Sequence, residues 1–269
     1  MKPRLGALWT DVEGLRMFAR TGISRTPRCS SPSIVLVHGQ VISSVYMVPT
    51  ARCLVGEYPV YAPDLPGFGR SGKPKRVLDV SELADALAAW MNAIGLPRAA
   101  LVANSLGCQI VVDLAARRPE LVEALVLAAP TIDANARNAP AQIVRWLHDW
   151  AYERPSLTLA HLRDFVLAGL SRSLRTFRNT LADRIEDKLP RVQAPTLVVR
   201  GSRDPIVPQD WAEEVTRLLP RGRLVVIRGP HCVNYSAPRE FTRVVCAFIR
   251  CGAGGQNEAG FAKQSAPPT

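Results

Sequence analysis

The chain has 269 residues, 47% of them apolar, which is enough to bury a full core in one domain carrying an insertion. Its net charge of +11 comes from arginines and lysines interspersed with acids, so basicity implies no nucleic-acid partner, and the densest cluster, Arg70 to Arg76, reads as a solvated loop. No stretch approaches the roughly 18 apolar residues of a membrane span, and acids interrupt the first residues before any long apolar run, which argues against a signal peptide and for a soluble, cytoplasmic protein.

The six cysteines are scattered and form no Cys-x-x-Cys pair, so they read as free thiols and not as disulfide partners or zinc ligands. Taken in chain order, Leu5–Trp9 and Leu15–Ala19 are predicted as edge strands joined by a turn at Asp11 to Gly14. Short β-rich apolar runs follow at Ile34–Val37, Val60–Ala62, Ala99–Ala103, Ala124–Ala128, Thr196–Val199 and Leu224–Ile227. They lack strict alternation, as strands covered on both faces do.

Helical patterns lie between several of these strands. Leu83, Leu87, Trp90, Met91 and Ile94 share a face behind a capping box at Asp79 and Glu82, and Gly95 and Pro97 stop that helix. Further helices are expected after Ser105, near Pro208 and near Pro238. Alternating strands and helices predict a parallel sheet flanked on both faces.

The alternation breaks at 131–190, where three helical stripes replace strands: Ile143/Trp146/Leu147/Trp150, Leu159/Leu162/Val166/Leu170 and Leu174/Phe177/Leu181/Ile185. This predicts a helical insertion over a core formed by 1–130 and 191–250. The tail 251–269, rich in Gly, Ala, Ser and Pro, is expected to be disordered.

The sharpest chemical signal is Ala99-Ala-Leu-Val-Ala-Asn-Ser105-Leu-Gly107, an apolar strand running straight into Ser105 and then into a helical pattern. Small residues two before and two after the serine, Ala103 and Gly107, suit a strained elbow where strand and helix cross closely. A serine hydroxyl needs a general base, and that base needs an orienting carboxylate. Of the four histidines, His231 follows the last strand, where catalytic groups gather in open α/β sheets, whereas His148 and His161 fall in the insertion.

Asp204 follows the preceding strand in Gly-Ser-Arg-Asp-Pro. The order Ser105, Asp204, His231, with gaps of 99 and 27 residues, makes these three the candidate triad. Two N–H donors must hold the developing oxyanion, and the expected pair is Leu106, at its helix start, and Gln40, in the loop after the first core strand. His38, in that same loop, is read as shaping it.

In these features the chain resembles the α/β-hydrolase superfamily: Val37-His-Gly39, Asp64-Leu-Pro-Gly-Phe-Gly-Arg-Ser71, the elbow, Gly201-Ser-Arg-Asp204 and the final His231, spanning about residues 30 to 250. The resemblance implies a mostly parallel eight-stranded sheet flanked by helices, a lid at 131–190 lining an acyl pocket, a structural role for Asp64, and no cofactor or metal. The expected substrate is a small molecule, a small or medium hydrophobic carboxylic ester or related acyl compound, on the ground of the aromatic stripe Trp146, Trp150 and Phe165. A serine nucleophile argues against haloalkane dehalogenases and epoxide hydrolases, which carry Asp there.

Asn104 beside Ser105 resembles the elbow of carbon–carbon bond hydrolases acting on ring-cleavage products, one alternative reading and a reason to place Asn104 near substrate. For that activity, Arg145, Arg154, Arg163, Arg172 and Arg175 are candidates for binding a substrate carboxylate. A catalytically silent binding module is the other alternative, disfavoured because all three triad residues are present. Trp146, Trp150 and Phe165 are candidate substrate contacts, although base rates of burial favour packing against neighbours. Cys108 and Cys232 are read as buried packing residues. The sequence leaves the oligomeric state open between monomer and dimer.

Overall fold

The computed structural model describes residues 4–22 and 31–252. Cys29 and most of the expected disordered tail lie outside these described residues. Eight strands form one sheet: β1 (Gly6–Val12), β2 (Leu15–Gly22), β3 (Ile34–Val37), β4 (Val60–Pro63), β5 (Ala99–Asn104), β6 (Val122–Ala128), β7 (Thr196–Gly201) and β8 (Gly222–Ile227), in the order β1-β2-β4-β3-β5-β6-β7-β8. β1 and β2 form an antiparallel hairpin that joins β4 antiparallel, and every pairing from β4 to β8 is parallel.

Helices cover both faces: α1 (Val48–Leu54), α2 (Val80–Ala93), α3 (Leu106–Arg117), α4 (Ala139–Trp150), α5 (Pro155–Ala168), α6 (Leu170–Ala182), α7 (Gln209–Leu218), α8 (Val233–Ser236) and α9 (Pro238–Gly252). The central strands alternate between two cores. Leu101, Ala103, Leu125 and Leu127 pack toward α2, α3 and α7, while Ala100, Val102, Val126 and Ala128 pack toward α1 and α9. This two-sided burial explains the unbroken apolar runs of the parallel strands.

Local signals hold in detail at α2. Asp79 accepts from the Glu82 N–H, Glu82 reaches back to the Asp79 N–H, and the expected face (Leu83, Leu87, Trp90, Met91) is buried. Burying a leucine such as Leu87 contributes about 1.5–3 kcal/mol. The seven-residue α1 and four-residue α8 were not anticipated, being too short to display a helical period.

Three helices, α4 to α6, do fill the interval between β6 and β7, but their apolar stripes are not core. Ile143, Trp146, Leu147, Trp150, Leu159, Leu162, Val166, Leu170 and Leu174 are exposed, and the buried positions on these helices are mostly polar: Gln142, Asp149, Asp164, Ser173, Thr176 and Thr180. Asp149 and Asp164 accept from backbone N–H groups of the core loops, while Ser173 and Thr180 donate to carbonyls one turn back. Ile185, expected to end the third stripe, is buried in a separate short turn beyond α6.

Candidate active site

The site forms where β3, β5, β7 and β8 end. Ser105 sits between β5 and α3 at φ +57°, ψ −125°, a strained conformation for a non-glycine residue of the kind that clusters at functional sites. The elbow is locked from both sides, since the Ser105 N–H donates to the Ala128 carbonyl at 3.0 Å and its own carbonyl accepts from Cys108 N–H at 2.8 Å. Gly107 is obligatory by contact: a Cβ there would stand 2.7 Å from the Val37 carbonyl oxygen and 2.8 Å from that of His38. Ala103 is buried where the strand meets the helix.

Two loops bring the acid and the imidazole together. The end of β7 runs so close to the loop after β8 that a side chain on Gly201 would strike the carbonyls of Gly229 and Pro230. Arg203 N–H donates to the Gly229 carbonyl at 2.9 Å. Asp204 then divides its oxygens: Oδ1 accepts from Ile206 and Val207 N–H at 2.8 and 3.0 Å, which closes the turn, and Oδ2 lies 2.9 Å from His231 Nδ1. Turn former and base-orienting carboxylate are therefore the same residue. With Nδ1 donating to Asp204, the neutral imidazole presents its lone pair at Nε2.

Asn104 ties this imidazole loop to the elbow. Its Nδ2 donates to the carbonyls of Ala128 (3.1 Å) and His231 (3.2 Å), and its Oδ1 accepts from the Tyr46 hydroxyl at 3.0 Å. Tyr46 in turn accepts from Gly39 N–H at 2.7 Å. One buried chain of hydrogen bonds thus links the loop after β3, the elbow and the His231 loop. Asn104 is fully buried, and its amide is engaged by the scaffold.

Leu106 opens α3, and the first N–H groups of a helix have no intrahelical acceptor. Gln40 lies in the turn after β3, next to Val41 at φ +53°, with Gly39 packed against Ser105. His38 is buried, with Nδ1 donating to the Gly39 carbonyl and Nε2 accepting from Leu65 N–H at 2.9 Å, and burial lowers its pKa. That geometry fixes a neutral loop-shaping histidine. Asp64 accepts from Ser44 and Arg70 N–H groups, a structural role as expected.

A family model described as alpha/beta hydrolase family matches residues 34–244. The chain belongs to that family. Similar curated proteins include a pyrrolizixenacetamide deacetylase of Xenorhabdus hominickii, 25% identical over 81% of this chain and 91% of that protein, and carboxylesterase YbfK of Bacillus subtilis (strain 168), 23% identical over 87% and 86%. Among solved structures, a membrane phospholipase A described as a bacterial virulence factor superposes with a TM-score of 0.80 at 26% identity, covering 93% of this chain and 87% of that one. This alpha/beta hydrolase is accordingly an enzyme that hydrolyses its substrate.

Two acids of this hydrolase's site escaped the sequence reading. Asp149, on α4, accepts from the His231 backbone N–H at 3.1 Å, and Glu153, just beyond α4, accepts from Cys232 N–H at 2.6 Å. Burial works to lower the His231 pKa, but Asp204 and the Asp149 and Glu153 carboxylates outweigh it and raise the imidazole to about 9. Burial and the neighbouring Asp149 raise Glu153 to about 7. The available signal was that Asp149, Glu153 and Asp164 are the only acids between 139 and 182.

Trp146 and Trp150 pack on each other at 5.0 Å between ring centroids, and both, like Phe165, are exposed. Packing into a core, the expectation favoured by base rates, does not hold for these three. Cys108 and Cys232 are buried thiols whose pKa values burial pushes well up, so they are packing groups.

Proposed function

We propose that this hydrolase cleaves carboxylic esters with apolar acyl groups through an acyl-enzyme on Ser105. The observation carrying this reading is the Asp204 Oδ2 to His231 Nδ1 contact, on a loop tied by Asn104 to a strained serine elbow. Ser105 Oγ attacks the ester carbonyl carbon while His231 Nε2 takes its proton, and Asp204 stabilises the imidazolium. The oxyanion is held by the N–H groups of Gln40 and Leu106. Collapse expels the alcohol, which takes the proton from His231. Water, deprotonated by the same imidazole, then attacks the acyl carbon and frees the carboxylic acid and Ser105.

In this reading the segment 131–190 is a lid, and the exposed apolar side chains of Trp146, Trp150 and Phe165 favour an apolar acyl chain over a charged one. The carbon–carbon bond hydrolase reading loses support because Asn104 is engaged in the scaffold. Arg145, Arg154, Arg163 and Arg172 are likewise engaged, with Asp133, the Ser236 carbonyl, Asp164 and the Pro74 carbonyl.

Fluorophosphonate labelling followed by peptide mass spectrometry tests the nucleophile. Label is expected on Ser105 and is lost in Ser105→Ala; a folded wild type that takes no label refutes the acyl-enzyme. Rates on aryl esters against vinylogous diketones then separate the bond types, and a strong preference for diketones overturns the ester assignment.

A further inference from the structure

Of fifteen exposed large hydrophobic residues among the described residues, thirteen fall between Ile143 and Leu174 on the inserted helices and their connection. Val144, Leu159, Leu162, Val166, Leu170 and Leu174 are each more than half exposed. A contiguous apolar surface larger than a few hundred Å² marks a macromolecular or membrane contact more often than a small-molecule site. The charge on these helices is equally one-sided. Their three acids, Asp149, Glu153 and Asp164, all accept hydrogen bonds from backbone N–H groups of the core loops at His231, Cys232 and Ser43, and none is exposed. Arg154, Arg163, Arg175 and Arg178 are exposed, Arg163 while paired with Asp164 at 2.7 Å. The side chains that α4 to α6 leave exposed are therefore apolar, fringed by arginines and by no exposed acid.

We propose that this face docks on an anionic lipid surface. Apolar side chains with long arginines beside them are the composition of helices that lie in a membrane interface, with aliphatic groups entering the acyl boundary and guanidinium groups meeting lipid phosphates. A second copy presenting the same face would bring cation against cation, which disfavours self-association there. No helix among the described residues is long and apolar enough to cross a membrane, so attachment through this face is peripheral. Docking goes beyond the ester-hydrolase reading and does not depend on it.

The test is flotation of the full chain carrying Ser105→Ala with phosphatidylcholine vesicles, with and without phosphatidylglycerol. Binding is expected only with phosphatidylglycerol, weakening as salt rises. The triple change Val144→Ser, Leu159→Ser, Val166→Ser, at positions 66%, 68% and 69% exposed, should weaken binding about tenfold or more while leaving melting and soluble-ester hydrolysis of the Ser105 form intact. Arg175→Gln with Arg178→Gln should also weaken it about tenfold. The proposal is overturned by no flotation with either vesicle, by flotation that neither variant changes, or by a wild-type dimer in light scattering that the triple serine variant dissolves. Because vesicle binding is read on a form lacking the nucleophile, failure here leaves the hydrolytic assignment untouched.

Discussion

The loops at the carboxyl end of the sheet and the helices α4 to α6 both bury polar residues, and they differ in where their apolar residues lie. At the sheet edge, polar groups are buried and satisfied individually: Asp204 by two N–H groups and an imidazole, Asn104 by two carbonyls and a hydroxyl, His38 by the backbone on both ring nitrogens. Each contact fixes one atom of the site. On the inserted helices most buried polar positions also bond to backbone, yet the apolar residues that would ordinarily accompany them inside are exposed. Burial is costly for an unpaired polar group and favourable for an apolar one, so the first arrangement is a precise scaffold and the second leaves unused surface free energy for another partner.

The strongest test of the buried side is Asp204→Asn. It leaves the turn acceptor in place but disturbs the imidazole tautomer, so kcat on an ester should fall on the order of 10⁴-fold with unchanged circular dichroism. A full-activity Asp204→Asn enzyme would remove the triad from the account. Next in size is a pair on one helix. Leu157, 1% exposed on α5, should lose about 2–5 kcal/mol of stability on replacement by Ala. Leu159→Ala, two residues on, should stay within about 0.5 kcal/mol in denaturant titrations. Equal costs at the two positions would mean that the apolar face is packed after all.

His38→Gln should cost about 1–3 kcal/mol, by disturbing two buried hydrogen bonds, without moving the pH dependence of kcat/KM. The smallest effect is expected from Asp149→Asn. It keeps an acceptor for the His231 N–H but removes a carboxylate that favours the imidazolium, so His231 gives up its proton at lower pH and the acidic limb of kcat/KM moves down. A limb that moves up, or one that follows His38→Gln instead, would break the assignment of base and scaffold histidine.

Sheet composition and the candidate triad were legible in the chain because each rests on a short local code. Four-residue apolar runs marked strands, Asp79 and Glu82 marked a cap, and Ala103 and Gly107 marked a crossing tight enough for the elbow. The candidate triad could be named because each of its members follows a strand. Other features had no local code: the Asn104 to Tyr46 to Gly39 chain joins residues up to 65 apart, and Asp149 reaches His231 across 82 positions.

The apolar stripes of α4 to α6 show where the boundary lies. Their spacing correctly predicted helices, because a period of 3.6 belongs to the backbone and is written in the residues themselves. Which face turns inward is a competition between apolar burial and hydrogen bonds offered by the loops beneath, and those loops exist only once the sheet has formed. The sequence by itself determined the strands, the longer helices and the identity of the candidate triad. Only the tertiary structure decided that Asn104 is scaffold, that Asp149 and Glu153 face the imidazole loop, and that the apolar face of the insertion lies open, since each outcome depends on partners distant in the chain.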